Sequence, residues 1–134
     1  MSLVLDASVV VAWLLADEDE PTASVVFTRL EADVALVPDV WHVEVRSALL
    51  GAERRRRVRS GEVDDCLRRV RELAVRTDKE PDIDTAFALA RTHRLSIYDA
   101  LYLELALRAD APLATLDKAL ARAAGAVGVV LVEA

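Results

Sequence analysis

Short apolar runs alternate with longer amphipathic segments along the whole chain. The runs predict strands at residues 3–5, 34–37, 75–78, 112–116 and 129–132. Apolar residues at helical spacing predict helices at residues 7–16, 21–32, 40–57, 60–74, 81–93, 96–109 and 117–124, with Asp39 as N-cap of the third. Buried strands separated by helices indicate an α/β fold with a mostly parallel sheet covered on both faces.

The length and composition favour a single compact domain spanning residues 1–134. Hydrophobic residues make up 54% of the chain and charged residues 30%, so a core and a polar surface can both form. The apolar run at residues 9–16 is too short to cross a bilayer and follows no basic leader, so no membrane association is expected. The lone Cys66 lies on an apolar helix face and is predicted to be core. A soluble cytoplasmic protein is the expectation.

The formal net charge of −6 argues against coating nucleic acid by bulk electrostatics, although a local patch can still bind it. The clearest patch follows the third predicted helix and consists of arginines: Arg54, Arg55, Arg56, Arg57 and Arg59. One interpretation is contact with a nucleic-acid backbone. The alternative is a solvated helix end, where basic residues offset the helix dipole.

Four acidic residues lie where a strand has just ended or a helix has just begun: Asp6, Glu44, Asp99 and Asp117. In a parallel sheet with right-handed crossovers, the carboxyl ends of the strands form the functional crevice. Asp6 and Asp117 would meet there if the first and fourth strands are neighbours. Carboxylates gathered without cations repel one another, by about 4 kcal/mol for a pair 4 Å apart at an effective dielectric near 20. A divalent metal ion would resolve that repulsion.

Each acid except Glu44 also has a purely structural interpretation. Asp6 and Asp117 could cap the helices that follow them, and Ser96 with Asp99 has the spacing of a capping box. Glu44 instead lies inside a helix, on a face that is otherwise apolar or small: Val40, Ser47, Ala48 and Gly51. An unpaired carboxylate there needs a partner, a proton or a metal.

Four segments together resemble PIN-domain ribonucleases, and most closely the VapC toxins of bacterial toxin–antitoxin pairs. They are VLDASV at residues 4–9, PDVWHVEV at 38–45, IYDALYLELA at 97–106 and LATLDKAL at 113–120. The resemblance covers nearly the whole chain in order. It implies a three-layer α/β/α sandwich around a mostly parallel sheet of about five strands.

The resemblance also implies a catalytic metal site that binds Mg2+ or Mn2+ and cleaves RNA by a metal-activated water. The family's acids fall on Asp6, Glu44, Asp99 and Asp117, and its neighbouring hydroxyl positions fall on Ser8 and Thr115, where they could hold a metal-bound water. The implied partners are an RNA substrate and a VapB-type antitoxin whose C-terminal segment lies over the groove.

The apolar first and third helices, which carry Trp13 and Trp41, predict a homodimer as well. His42 is expected at the surface or at a partner contact instead of in catalysis. His93 is expected to bond carbonyl groups at a helix end. Two further interpretations stay open, namely a receiver-type signalling domain and a non-catalytic PIN-like binding module.

Overall fold

A computed structural model describes residues 1–15 and 20–133. Within these residues the chain forms four strands: β1 (Ser2–Leu5), β2 (Val34–Pro38), β3 (Val75–Asp78) and β4 (Leu113–Ala114). It also forms seven helices: α1 (Ala7–Leu15), α2 (Pro21–Arg29), α3 (Asp39–Arg54), α4 (Ser60–Glu72), α5 (Ile83–His93), α6 (Ile97–Ala109) and α7 (Lys118–Ala126). The predicted α/β alternation is confirmed.

The sheet has the order β3-β2-β1-β4, and the paired strands are parallel throughout. β1 lies beside β4, with Leu5 opposite Ala114. Helices α1 to α4 pack on one another, whereas α5 and α7 pack on α6, which covers β1, β2 and β4. The chain moves outward from β1 to β3 and then crosses back to β4, so right-handed crossovers put these two helix groups on opposite faces. The predicted three-layer sandwich is confirmed.

The predicted fifth strand at residues 129–132 is reduced to one bridge in the described chain. Leu113 of β4 donates to the Val130 carbonyl and accepts from the Val132 amide, at 2.9 Å each, which pairs Leu113 with Leu131. β4 has only two residues before the chain turns toward α7, and the next backbone amides, of Leu116 and Asp117, donate to the hydroxyls of Ser8 and Thr115 instead. Residues 129–132 therefore find no longer strand beside β4 with which to pair.

Helix α3 begins and ends earlier than predicted. Pro38 is its N-cap and Asp39 is its first residue, so the prediction of Asp39 as a capping side chain is wrong. Asp39 instead accepts from Lys79 at 3.2 Å. The helix stops at Arg54 because Arg56 takes a left-handed conformation with φ 59°. The predicted last residue of α1, at position 16, lies outside the described residues.

Both tryptophans pack against other residues of the same chain. Trp41 is fully buried in the core, and Trp13 stacks on Phe27 with ring centroids 4.0 Å apart while the Arg69 guanidinium covers its ring. Cys66 is buried as predicted. The tryptophans therefore give no reason to expect a subunit contact at α1 or α3. No helix in the described ranges is long and apolar enough to span a membrane.

Candidate active site

The four predicted acids line one cleft at the carboxyl ends of the strands. Asp6 directly follows β1, and Asp117 comes soon after β4, the neighbouring strand. Glu44 lies in the second turn of α3, and Asp99 lies in the first turn of α6. The cleft has a volume of about 300 Å³, and its lining also includes small or apolar residues: Ala7, Ser8, Val11 and Ala48. Strand order thus gathers residues that are distant in sequence.

Asp6 is held by two hydroxyl groups. Ser8 Oγ and Thr115 Oγ1 each donate to Asp6 Oδ2 at 2.7 Å. Both hydroxyl oxygens also accept backbone amides: Ser8 from Leu116 and Thr115 from Asp117, at 3.0 Å each. These bonds tie the loop after β4 to the loop after β1 and fix the orientation of the Asp6 carboxylate.

The capping interpretation is confirmed for Asp117, and the Ser96 half of the predicted capping box at α6 is observed. Asp117 Oδ1 accepts from the Leu120 amide at 2.8 Å, which makes Asp117 the N-cap of α7. Ser96 Oγ accepts from the Asp99 amide at 3.1 Å and caps α6. Capping does not exclude a role in the cleft, because both acids line it at the same time. The bond from the Leu120 amide instead orients the Asp117 carboxylate at the N-terminus of α7.

Glu44 has a partner that sequence reasoning missed. The Tyr102 hydroxyl donates to Glu44 Oε1 at 2.6 Å, from α6 across to α3. Tyr102 lies three residues after Asp99, which places both side chains on one face of α6. The three-residue spacing could have indicated from the sequence that Tyr102 faces the cleft. The sequence could not have shown that Glu44 accepts its hydrogen bond. Burial, followed by the bond to Glu44, raises the pKa of Tyr102 far above its usual range, so the phenol stays a donor.

Three acids of the cleft, Asp6, Glu44 and Asp99, have raised pKa values. Burial raises the pKa of Asp6 and of Glu44. The pKa of Asp99 rises to about 6, first through burial and then through the charges of Asp117, Asp6 and Glu44. No lysine or arginine is among the described residues that line the cleft. The repulsion that the sequence predicted is therefore present and uncompensated.

The donor set fits a hard divalent cation, because carboxylate and hydroxyl oxygens are the ligands that Mg2+ takes. In residues 1–15 and 20–133, no three or more His, Cys, Asp or Glu side chains form a ready metal-binding group. The four carboxylates are therefore not gathered closely enough to form a ready site by themselves. Mg2+ commonly binds through one or two carboxylates and several waters, so the open spacing suits it. The metal and catalytic roles of the four acids stay predictions.

The predicted arginine patch is exposed and lies away from the cleft. Arg54 ends α3, and the other arginines follow in the loop to α4. Ten residues separate Arg54 from Glu44 along the helix, a rise of about 15 Å. Both the RNA-contact interpretation and the solvated helix end fit this position.

Neither histidine lines the cleft. His42 is half-buried, and its Nε2 lies 2.8 Å from Thr77 Oγ1 on the edge strand β3; its predicted surface or partner-facing role stays a prediction. β3 pairs beside β2, which brings Thr77 near the first turn of α3. His93 is the last residue of α5, as expected.

A second acidic cluster lies farther along α6 and was not singled out in the sequence. Glu104 is only 2% exposed, yet its carboxylate accepts from Arg108 at 2.7 Å and from the Asp82 amide at 3.1 Å. Arg108 also donates to Asp78 at 2.6 Å. These hydrogen bonds hold the pKa of Arg108 above its usual range. The i, i+4 spacing of Glu104 and Arg108 was the available signal.

Comparison with known proteins identifies the family. The PIN domain model matches residues 3–126. Ribonuclease VapC3 of Pyrobaculum aerophilum is 32% identical over 124 residues, covering 90% of this chain and 93% of that protein. The chain therefore belongs to the PIN domain family, in its VapC ribonuclease branch. This assignment supersedes the receiver-domain interpretation.

Solved structures agree on the fold. VapBC2 from Rickettsia felis, crystallised with a DNA fragment from its promoter, matches with a TM-score of 0.69 at 12% identity, over 98% of this chain and 97% of that one. Mycobacterium tuberculosis VapC20, a toxin that cleaves the sarcin-ricin loop, matches with a TM-score of 0.64 at 13% identity, over 98% and 99%.

Proposed function

We propose that this protein is a divalent-metal-dependent endoribonuclease and the toxin of a toxin–antitoxin pair. The observation that carries the proposal is the cleft of four carboxylates without a lysine or arginine in its lining, in a chain of the VapC branch. Buried or crowded carboxylates normally pair with a cation or bind a metal. The carboxylate and hydroxyl oxygens of this cleft are suited to Mg2+ or Mn2+.

When bound, the metal would lower the pKa of a water and polarise the scissile phosphate of RNA. The chain's own residues hold that arrangement in place. Asp6, fixed by Ser8 and Thr115, offers a carboxylate of set orientation at the end of β1. Asp99, Asp117 and Glu44 would supply further oxygens, either as ligands of the metal or by orienting its waters.

RNA is a polyanion, so the cleft needs the metal before it can accept a phosphate. The exposed arginines at the end of α3 are the proposed backbone contact on the same molecule. Aromatic residues make up only 4% of the chain, and Trp41 is fully buried, which leaves little surface for stacking on bases. We therefore propose recognition chiefly through the RNA backbone.

Two protein partners belong to the proposal. A VapB-type antitoxin is proposed because the Rickettsia felis relative was crystallised as a VapBC complex.

A homodimer is proposed with a new location, on the hairpin of α5 and α6, where four large apolar side chains are exposed: Ile83, Phe87, Ile97 and Tyr98. Sedimentation of the wild type and of Phe87→Glu at micromolar concentration tests this contact, and a monomeric wild type would refute it. A cytoplasmic location also stays a prediction.

The main test incubates purified protein with a mixture of structured RNAs in Mg2+, in Mn2+ or in EDTA. We expect cleavage that needs the metal and that Asp6→Asn and Asp99→Asn each reduce by at least about 100-fold, since both remove a charge that binds or orients the metal. Asp64→Asn, an exposed acid on α4, is the matched control and should cleave like the wild type. Cleavage that persists in EDTA would refute the metal mechanism.

The non-catalytic module is the remaining alternative, and Mn2+ binding separates the two. Metal binding that depends on Asp6 and Asp99 without cleavage of any RNA would favour the module. Neither metal binding nor cleavage would refute the proposed site.

A further inference from the structure

Tyr102 joins the two helix layers at the cleft. Its side chain is fully buried on α6, and its hydroxyl reaches Glu44 Oε1 at 2.6 Å on α3, 58 residues earlier in the chain. A buried phenol needs an acceptor, and a backbone carbonyl would satisfy that need equally well. The acceptor here is instead a carboxylate that lines the cleft. The bond is therefore charge-assisted and involves the site itself.

Glu44 needs an anchor more than the three aspartates do. A glutamate has one more rotatable bond than an aspartate, and it loses more freedom when one geometry is required. Asp6 is held by two hydroxyls, and Asp117 is held by the Leu120 amide. Tyr102 is the group that takes one oxygen of Glu44 in the same way.

We propose that Tyr102 is a positioning residue of the cleft, which holds Glu44 Oε1 so that Oε2 is presented to a divalent cation. The inference rests on the proposed function, because it needs a cation between the acids. Tyr102 contacts neither the cation nor RNA and acts only through Glu44. Groups that orient metal ligands typically change metal affinity by 10- to 100-fold when they are lost.

The test measures Mn2+ binding to the full-length chain by calorimetry and by electron paramagnetic resonance, without any RNA. Tyr102→Phe keeps the ring in the core and removes only the hydroxyl. We expect its Mn2+ affinity to fall by about 10- to 100-fold. Thr28→Val, which removes an exposed hydroxyl on α2 that donates to the Ser24 carbonyl and does not line the cleft, is the control and should stay within about twofold of the wild type.

A double-variant cycle shows whether Tyr102 acts through Glu44. Once Glu44→Ala has removed the carboxylate, Tyr102→Phe should weaken Mn2+ binding by less than about threefold more, because nothing is left to position. A merely structural role would give the same loss in both backgrounds. Should Tyr102→Phe fail to fold, Glu44→Asp keeps the charge but is one methylene too short to reach both Tyr102 and the cation, and it should lose at least about tenfold.

Different results would contradict the positioning role of Tyr102 and the proposed metal site. Equal Mn2+ affinity of Tyr102→Phe and the wild type would overturn the positioning role alone, and so would losses that multiply in the double variant. Mn2+ binding that Asp6→Asn leaves unchanged would overturn the proposed metal site, and this inference with it.

Discussion

Two acidic clusters lie near the same helix, α6, and differ in what neutralises them. Glu104 is 2% exposed, and Arg108 compensates its charge within the chain. Asp6 is 5% exposed and is held by neutral donors, the Ser8 and Thr115 hydroxyls, while further acids face it. Burial of a carboxylate is therefore not a mark of function by itself. The cluster with its own cation is structural, whereas the cluster without one is suited to a cation from solution.

The largest expected effect comes from removing the internal cation. Arg108→Ala leaves Glu104 buried and charged, and we expect it to lower the free energy of unfolding by about 2–4 kcal/mol, below the range for a fully buried pair because Arg108 is 40% exposed. Urea unfolding measures the change. Arg71→Ala, at an exposed arginine of α4, should stay within about 0.5 kcal/mol of the wild type. A loss below about 1 kcal/mol for Arg108→Ala would mean that solvent already compensates Glu104.

In the cleft, by contrast, we expect that removing a charge raises the free energy of unfolding. In EDTA at pH 8, Asp99→Asn should raise the free energy of unfolding by about 1–2 kcal/mol, because Asn removes one of the repelling charges and Asp99 is only partly buried. The folded protein keeps the Asp99 proton up to about pH 6, whereas an ordinary aspartate loses it near 3.8. Wild-type stability therefore falls as the pH rises from about 4 to about 6, and the gain from Asn grows over the same range.

Two controls sharpen that test. At pH 4 the gain from Asp99→Asn should disappear, since the wild-type carboxyl is then protonated. Saturating Mn2+ should stabilise the wild type more than the variant. A gain that is the same at pH 4 and pH 8 would show that packing, not charge, explains it.

A smaller effect is expected from the hydroxyls that hold Asp6. Thr115→Val removes the donor to Asp6 Oδ2 and the acceptor of the Asp117 amide, which should cost about 1 kcal/mol in thermal or urea unfolding. Thr115→Ser keeps the hydroxyl and should recover most of the loss. A Thr115→Val variant as stable as the wild type would contradict the stabilising role of these hydrogen bonds.

The smallest effect concerns the arginine patch, the third group of charges. If it contacts RNA, Arg54→Gln combined with Arg59→Gln should flatten the salt dependence of RNA affinity, by roughly 0.7 in the logarithmic slope for each phosphate that the variant no longer neutralises. Stability should not change, because both side chains are exposed. Arg29→Gln, which precedes β2 at the amino ends of the strands, is the control. An unchanged slope would leave the arginines as a solvated helix end.

Much of the local structure follows from the sequence, because its causes are local. Within the described residues, apolar periodicity placed the ends of the strands and helices to within about three residues, apart from the last strand, which is a single bridge. The caps at Ser96 and Asp117 were readable from side chains that bond backbone amides three residues on. The four acids were readable too, because each lies at a predicted element boundary or on an apolar face.

Tertiary structure alone decided which of these residues meet. Asp6 bonds Thr115 across 109 residues because β4 returns to lie beside β1. Glu44 bonds Tyr102 across 58 residues because α3 and α6 approach the cleft from opposite faces of the sheet. Periodicity shows which face of an element is buried but not which element covers it, so the sequence determined the four acids, and the order of the strands made them one site.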